Sequence, residues 1–198
     1  RAFQQRFLQK EGRYFDRNSQ TANAMPLVLG LVEAGDRQGV LANLVQEIRR
    51  GNHRITAGDV GFVYLVRALS ESRSGELLYR MVTQQEGPGY AYQLAHGATT
   101  LTEAWDSNPA SSQNHCMLGH VEEWFYGGLG GIQPDPAGPG FRRFFLRPQP
   151  VGDLSWVKTQ YDSVRGPIRS EWQRDAQQIR FSFLGPVDST ALVAVPGT

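Results

Sequence analysis

The chain has 198 residues, of which 40% are hydrophobic and 20% are charged, so it can form one ordinary folded domain or two small ones. Its net charge is +1 and its basic residues form no stripe, which argues against a nucleic-acid partner. No apolar run approaches the length of a membrane span, so we expect no membrane partner either.

Helical periodicity extends from the start of the chain to about residue 133. It predicts six short helices, at residues 2–8, 21–35, 37–52, 61–72, 74–84 and 114–132. In the third, the residues that repeat at helical spacing are Val40, Leu41, Leu44, Val45 and Ile48. Gly35 is expected to end the second helix, since glycine is common just after a last helical turn.

Three of the connecting loops are unusually polar and rich in glycine, at residues 11–20, 53–61 and 86–113. In a stack of helical hairpins such loops would gather at one end of the stack. Binding and catalytic residues are disproportionately found on loops of that kind, so a site is expected there. The alternative is that the three loops are ordinary connections.

The helical hydrophobic pattern stops at QPDPAGPG, residues 133–140, whose proline and glycine content indicates a linker or a tight corner. Beyond it the hydrophobic period becomes two, which predicts five short strands at residues 141–148, 155–163, 166–175, 177–185 and 190–196. The strands are expected to form an antiparallel meander. The predicted domains are therefore a helical one, residues 1–138, and a β one, residues 139–198.

The stretch GATTLTEAWDSNPASSQNH, residues 97–115, gathers the groups that could carry chemistry. Glu103 stands two positions before Trp105, and a carboxylate desolvated by an indole would have a raised pKa, which suits a general acid or base. The other interpretation is a carboxylate that caps backbone amides. Trp105 could stack on the C–H face of a sugar or could belong to the core.

The remaining polar residues of this stretch also allow two interpretations. Asp106 is better explained by an Asx-turn than by catalysis. Asn114 and His115 open the sixth predicted helix and could cap it, or His115 could contact a sugar hydroxyl. The single cysteine, Cys116, excludes an internal disulfide and is expected to be a small buried core residue.

The histidines show no HxxxH or HExxH spacing, so we expect no metal. The sequence also has no GxSxG, no P-loop and no GxGxxG that opens a helix, and no cofactor is expected. An acid, a tryptophan and a histidine on a polar loop fit carbohydrate chemistry, in which carboxylates transfer the protons.

Two segments carry a resemblance to a known family. GATTLTEAWD, followed by SSQNHCMLGHVEEWFYGGLGGI, and then GFRRFFLRPQPVGDLSWVKTQYDSVRGPIRSEWQRD resemble the C-terminal part of the bacterial α-L-rhamnosidases, a family of glycoside hydrolases. TANAMPLVLGLV and GDVGFVYLVRALSE resemble helices of the same family in the same order, so the resemblance covers nearly the whole chain.

The resemblance implies an α+β architecture: helical hairpins of a partial (α/α)6 barrel, followed by a small antiparallel β-sandwich. It implies inverting hydrolysis of terminal α-L-rhamnosides, with Glu103 as the general base and a rhamnose-containing glycoside as the substrate. It also implies substrate contacts from Trp105 and His115, with Asp59 and Asn114 facing the same cavity. Thr102 stands where the family usually has a tryptophan, and many members have a longer segment between Glu103 and His115, which puts specificity for plain rhamnose in doubt.

The family's general acid precedes the part that this chain resembles. We therefore expect the chain to be a fragment of a longer enzyme, with little glycosidase activity alone. Half a helical ring would leave an apolar seam, so we also expect either self-association or a missing N-terminal portion. The alternatives are a lyase that acts on rhamnose–uronate linkages, a non-catalytic carbohydrate-binding remnant, and a helical assembly module.

Overall fold

The structure, a computed structural model, describes residues 2–196. Residue 1 and residues 197–198, at the outer ends of the two predicted domains, lie outside the described residues. The chain forms two compact units, one up to Val121 and one from Glu122. The predicted domain boundary at residue 138 stays a prediction.

Short helices make up most of the first unit. They are α1 (Ala2–Phe7), α2 (Gln20–Val28), α3 (Ala34–Arg50), α4 (Asp59–Glu71), α5 (Gly75–Thr83) and α6 (Tyr90–Ala95), with a 3-10 helix at Cys116–His120. A two-residue hairpin, β1 (Leu8–Gln9) and β2 (Tyr14–Phe15), follows α1. The chain then continues through α7 (Val121–Trp124) and a π-helical turn (Phe125–Leu129). The sixth predicted helix is thus present, but as three short pieces that begin at Cys116.

The core of the first unit follows the predicted helical spacing. Val40, Leu44 and Ile48 of α3 are all 0% exposed. α4 buries Phe62 and Leu65 to the same extent, and α2 packs against both helices. Burial of each such side chain stabilises the fold by about 1.5–3 kcal/mol, so this core is what holds the loops of the first unit in place.

The start and end of α2 depend on local backbone chemistry. Ser19 caps the helix, because its side chain accepts a hydrogen bond of 3.1 Å from the N–H of Ala22. The helix ends at Val28 with Leu29 as its C-cap, and Gly30 follows with a φ of 66°, the left-handed conformation typical of a residue just past a helix. The prediction that Gly35 ends this helix is wrong, since Gly35 lies in the first turn of α3, where no left-handed residue is needed.

Two three-stranded sheets form the second unit. One consists of β5 (Trp156–Ser163), β6 (Gly166–Arg174) and β7 (Ile179–Leu184), an antiparallel meander. The other has the order β3–β4–β8 and consists of β3 (Ile132–Pro134), β4 (Arg143–Leu146) and β8 (Thr190–Val193). The five predicted strands are confirmed. The meander is confirmed only for β5–β7, because β8 returns to pair in parallel with β4.

The two sheets share one hydrophobic cluster, as in a sandwich. Ile132, Phe144 and Leu146 contribute from the mixed sheet and Ile168 contributes from the meander. The alternation of inward and outward residues along β6 is regular: Ile168, Ser170 and Trp172 are buried. The architecture predicted from the sequence, helical hairpins followed by a small β-sandwich, is therefore confirmed, apart from the one parallel strand pair.

Gly131 is the glycine that the second unit can least replace. Its φ is 71°, and a Cβ at this position would overlap backbone atoms of Arg147 and Pro148. We expect Gly131→Ala to lower the free energy of unfolding by roughly 2–5 kcal/mol, because left-handed strain and steric overlap add. Gly140→Ala is the matched control, since Gly140 has a φ of 65° but its Cβ would meet only Val164 Cγ2, at 3.5 Å. Urea unfolding measures both, and equal losses would contradict the overlap.

Candidate functional site

Two of the three polar loops meet in the first unit. The indole Nε1 of Trp105, from the loop after α6, donates a hydrogen bond of 2.8 Å to the carbonyl of Ala57, which lies just before α4. His115 Nε2 lies 3.6 Å from Asp59 Oδ2. The prediction that these loops gather is thus confirmed for residues 53–61 and 86–113, and the structure brings Trp105, His115 and Asp59 together.

The third polar loop contributes through its last residue, Gln20, which sequence reasoning did not single out. The Gln20 side chain is buried, and its Nε2 donates to the Arg54 carbonyl at 2.8 Å. Its Oε1 accepts from the N–H groups of Thr56 and Ala57, at 2.9 and 3.2 Å. One amide thus fixes the segment that accepts the Trp105 bond and leads into Asp59. A glutamine at the start of a helix gives no sequence signal for such a role.

Trp105 belongs to an aromatic cluster. Its ring packs edge to face on Phe62 and on Tyr90, each with ring centroids 5.0 Å apart, and the residue is 8% exposed. Such contacts add about 0.5–1.5 kcal/mol each beyond the area they bury. Most of the Trp105 indole therefore belongs to the core, as one of the two interpretations held. Its role as a substrate contact stays a prediction.

The Tyr90 hydroxyl links this aromatic cluster to the segment that follows His115. It donates a hydrogen bond to the carbonyl of Leu118, in the 3-10 helix that follows His115. Burial raises the pKa of Tyr90 above its ordinary value of 10.0, and a backbone contact to Val121 lowers it only in part. The neutral phenol therefore ties α6 to the helix that begins next to His115.

This pKa predicts a loss of stability in alkali. The folded state keeps the Tyr90 proton while the unfolded state releases it near pH 10.0, so the stabilisation is complete below that pH and declines as the pH rises through and beyond it. While the chain is folded at about pH 11, the tyrosinate absorbance at 295 nm should be the same in the parent chain and in Tyr90→Phe. A smaller signal in Tyr90→Phe would mean that Tyr90 ionises normally.

Glu103 is exposed, which corrects an expectation from the sequence. Its N–H donates to the Ser112 carbonyl at 2.8 Å, and its Oε2 accepts from the N–H of Ser112 at 3.2 Å. The indole two residues away is turned into the core, so it does not desolvate the carboxylate. The alternative interpretation, a carboxylate that caps a backbone amide, describes the contact that the structure shows. The role of Glu103 as a base stays a prediction.

Hydrogen bonds hold the loop that carries Glu103 together and attach it to α6. His115 N–H donates to the Leu101 carbonyl at 2.8 Å, and Thr100 Oγ1 donates to the Gln113 carbonyl. The buried Gln93 Nε2 donates to the Ala104 carbonyl at 3.2 Å. Gln93 lies on α6, within the stretch predicted as loop. The segments before and after Glu103 are thus held together, which fixes the backbone that carries the carboxylate.

The His115 imidazole has a buried nitrogen without a hydrogen-bond partner within residues 2–196, which is uncommon for a polar group. Its Nε2 is enclosed but makes no hydrogen bond with any described residue, although Asp59 Oδ2 lies 3.6 Å away. The second oxygen of Asp59 accepts from the N–H of Val60 at 2.8 Å. Because Nε2 is closed to solvent in this structure, a hydroxyl could bond to it and to Asp59 Oδ2 only after the imidazole turned outward.

Three further expectations have clear outcomes. Asp106 forms the predicted Asx-turn, since its Oδ1 accepts from the N–H of Asn108 at 3.2 Å. Asn114 is exposed, and the side chain of His115, at the capping position of the 3-10 helix, makes no capping hydrogen bond. The prediction that Cys116 is buried is wrong: it is exposed, because a 3-10 turn starts there and turns the thiol outward.

Two kinds of feature are absent from residues 2–196. No group of three or more histidine, cysteine, aspartate or glutamate residues there could hold a metal ion. Within the same range, no helix has both the length and the apolar character needed to cross a membrane.

Comparison with known proteins relates this geometry to a family. Residues 1–129 match the model of the bacterial alpha-L-rhamnosidase 6 hairpin glycosidase domain. Residues 131–198 match the model of the bacterial alpha-L-rhamnosidase C-terminal domain. The chain belongs to the bacterial α-L-rhamnosidase family. The resemblance seen in GATTLTEAWD and in the strand segments is therefore confirmed.

Individual α-L-rhamnosidases agree with this assignment. One from Streptomyces avermitilis is 28% identical over 205 aligned residues, which cover 99% of this chain and 20% of that protein. The structure of an α-L-rhamnosidase from Dictyoglumus thermophilum matches with a TM-score of 0.89 at 31% identity, over 98% of this chain and 22% of the other. That of the Streptomyces avermitilis enzyme complexed with L-rhamnose gives 0.89 at 28% identity, over 97% and 19%. The chain thus spans about a fifth of the length of these α-L-rhamnosidases.

Proposed function

We propose that this chain forms part of an inverting α-L-rhamnosidase and contributes the base side of its active site. The observation that carries the proposal is the meeting of two polar loops, which places Asp59 3.6 Å from His115 at the end of the segment that holds Glu103. Membership of the α-L-rhamnosidase family supports the choice of sugar. The relative solved with L-rhamnose supports it as well.

In this mechanism the Glu103 carboxylate takes a proton from a water molecule. The water oxygen bonds to the anomeric carbon while the bond to the aglycone oxygen breaks, and a second carboxyl group protonates that oxygen. An exposed carboxylate on a backbone fixed by hydrogen bonds suits the base, because it has to reach the attacking water. The second carboxyl group is not assigned to a residue of this chain.

Substrate binding is assigned to the neighbouring groups. His115 Nε2 and the free oxygen of Asp59 would share a ring hydroxyl, and Asn114, exposed beside them, would reach a second one. Trp105 would act mainly through the core: its bond to Ala57 and its packing on Phe62 fix both loops. Any direct contact with the sugar would use the 8% of the residue that is exposed.

Proton NMR of the first products tests the reaction. An enzyme that carries this chain should convert an aryl α-L-rhamnoside to β-L-rhamnose first, with the α anomer appearing only by mutarotation. Initial release of α-L-rhamnose would contradict inversion. An unsaturated, ultraviolet-absorbing sugar from a rhamnose–uronate substrate would instead show a lyase, and sugar binding without turnover would show a non-catalytic module.

A further inference from the structure

A groove in the second unit is not used by the proposed mechanism. It has a volume of about 370 Å³, within the range of roughly 300–1,000 Å³ usual for small-molecule sites. Its walls come from all three strands of the β5–β6–β7 meander. They consist of Trp156, Lys158, Glu171, Trp172, Gln173, Arg180 and Ser182.

Trp156 sets this groove apart from the rest of the chain. It is 59% exposed, whereas Trp105, Trp124 and Trp172 are at most 8% exposed. The strand register puts Trp156 opposite Gln173, which in turn lies opposite Arg180. An indole held on a strand, with polar neighbours on the same face, is a rigid apolar platform with hydrogen-bonding groups beside it.

The next set of paired residues across the three strands offers hydrogen-bonding groups that suit a sugar better than an ion. Lys158 lies opposite Glu171, which lies opposite Ser182, so that donors and acceptors alternate across the face. None of these three side chains has a hydrogen bond or ion pair with another described residue to occupy it. Vicinal hydroxyls of a pyranose are donors and acceptors at once, and they can bond to both kinds of group.

The lining carries charges of both signs close together. Lys158 lies opposite Glu171, and Arg180 is the second cation. The Glu171 carboxylate would repel an anion such as a phosphate or a sulfate, whereas the hydroxyls of an uncharged sugar can bond to groups of both signs.

We propose that this groove is a second saccharide-binding site, which takes a neutral pyranose of an oligosaccharide with its C–H face on Trp156 and its hydroxyls on Lys158, Glu171 and Gln173. The site would hold a polymeric or oligomeric substrate while its end is hydrolysed elsewhere. It rests on the proposed function only for the choice of sugar, because its residues and its geometry belong to the second unit alone.

Quenching of tryptophan fluorescence by acrylamide tests the site in the intact chain, because Trp156 is the exposed indole. A neutral trisaccharide of α-linked L-rhamnose at saturation should lower the quenching constant about twofold, since a pyranose stacked on one face of the Trp156 indole would cover roughly half of its exposed surface. Glycerol at equal hydroxyl concentration should have no effect. Glu171→Gln together with Lys158→Gln should weaken the protection, and Val164→Ala, 90% exposed and not part of the groove lining, should leave it unchanged.

Two results would overturn the proposal: no protection of the parent chain by the trisaccharide, or protection that disappears in His115→Ala. The second would show that the signal comes from the site on the first unit. Conversely, protection that persists in His115→Ala supports the second site even if the proposed hydrolase mechanism fails. An equal effect of a neutral peptide rich in aromatic residues would assign the groove to a protein partner and would also contradict the proposal.

Discussion

Replacement of Glu103 by glutamine should lower kcat about 10²–10⁴-fold in an active enzyme that carries this chain, because the amide cannot accept a proton from water. The conformation of the loop should survive, since a glutamine Oε1 can still accept the hydrogen bond from the Ser112 N–H. KM should therefore change little. This split between kcat and KM is the signature of a group that acts on the attacking water and does not grip the sugar.

Steady-state hydrolysis of an aryl α-L-rhamnoside measures both constants. Glu11→Gln is the matched control, because Glu11 is also exposed but lies in the turn between β1 and β2. It should behave like the parent enzyme. Unchanged turnover in Glu103→Gln would show that Glu103 is not the general base. Its carboxylate would then serve only to accept the hydrogen bond from the Ser112 N–H.

Replacement of Trp105 by alanine should lower the free energy of unfolding by about 3–5 kcal/mol, the usual cost of emptying a buried aromatic site. The residue is 8% exposed, packs on Phe62 and Tyr90, and donates to the carbonyl of Ala57. That carbonyl would lose its partner, and the segment leading into Asp59 would keep the bonds from Gln20 and the bond from the Ile55 N–H to the Pro88 carbonyl.

Urea unfolding of the two variants Trp105→Ala and Trp156→Ala separates a core role from a sugar-contact role. Trp156 is 59% exposed, so its removal should change the stability by no more than about 0.5 kcal/mol. If Trp105→Ala kept the stability of the parent chain and only weakened rhamnose binding, the indole would be a pocket wall and the core assignment would be wrong.

The secondary structure was largely predictable because the hydrophobic periods were strong. Val40, Leu44 and Ile48 repeat at helical spacing and are fully buried together. The strands of the second unit were predictable for the same reason. The parallel pairing of β8 with β4 was not, because it joins residues that are about fifty positions apart and no local pattern encodes such a partner.

The candidate site was predictable as a set of residues but not as a geometry. The sequence shows that Glu103 and Trp105 are near each other, but not that the loop sends one outward and the other into the core. The clamp made by Gln20 depends on three backbone groups of a distant loop, and no residue pattern marks it. Cys116 was expected in the core on the general behaviour of cysteine, whereas a 3-10 turn places it at the surface.

Calorimetric titration of L-rhamnose into the chain, with L-fucose as the control sugar, tests the central claim most directly. Circular dichroism of the same sample would establish that the chain is folded. With the groove of the second unit disabled by Glu171→Gln and Lys158→Gln, we expect heat from L-rhamnose but not from L-fucose, and the loss of that heat when His115→Ala is added. No binding by the folded chain, or equal binding of both sugars, would contradict a rhamnose pocket on the loop from Glu103 to His115.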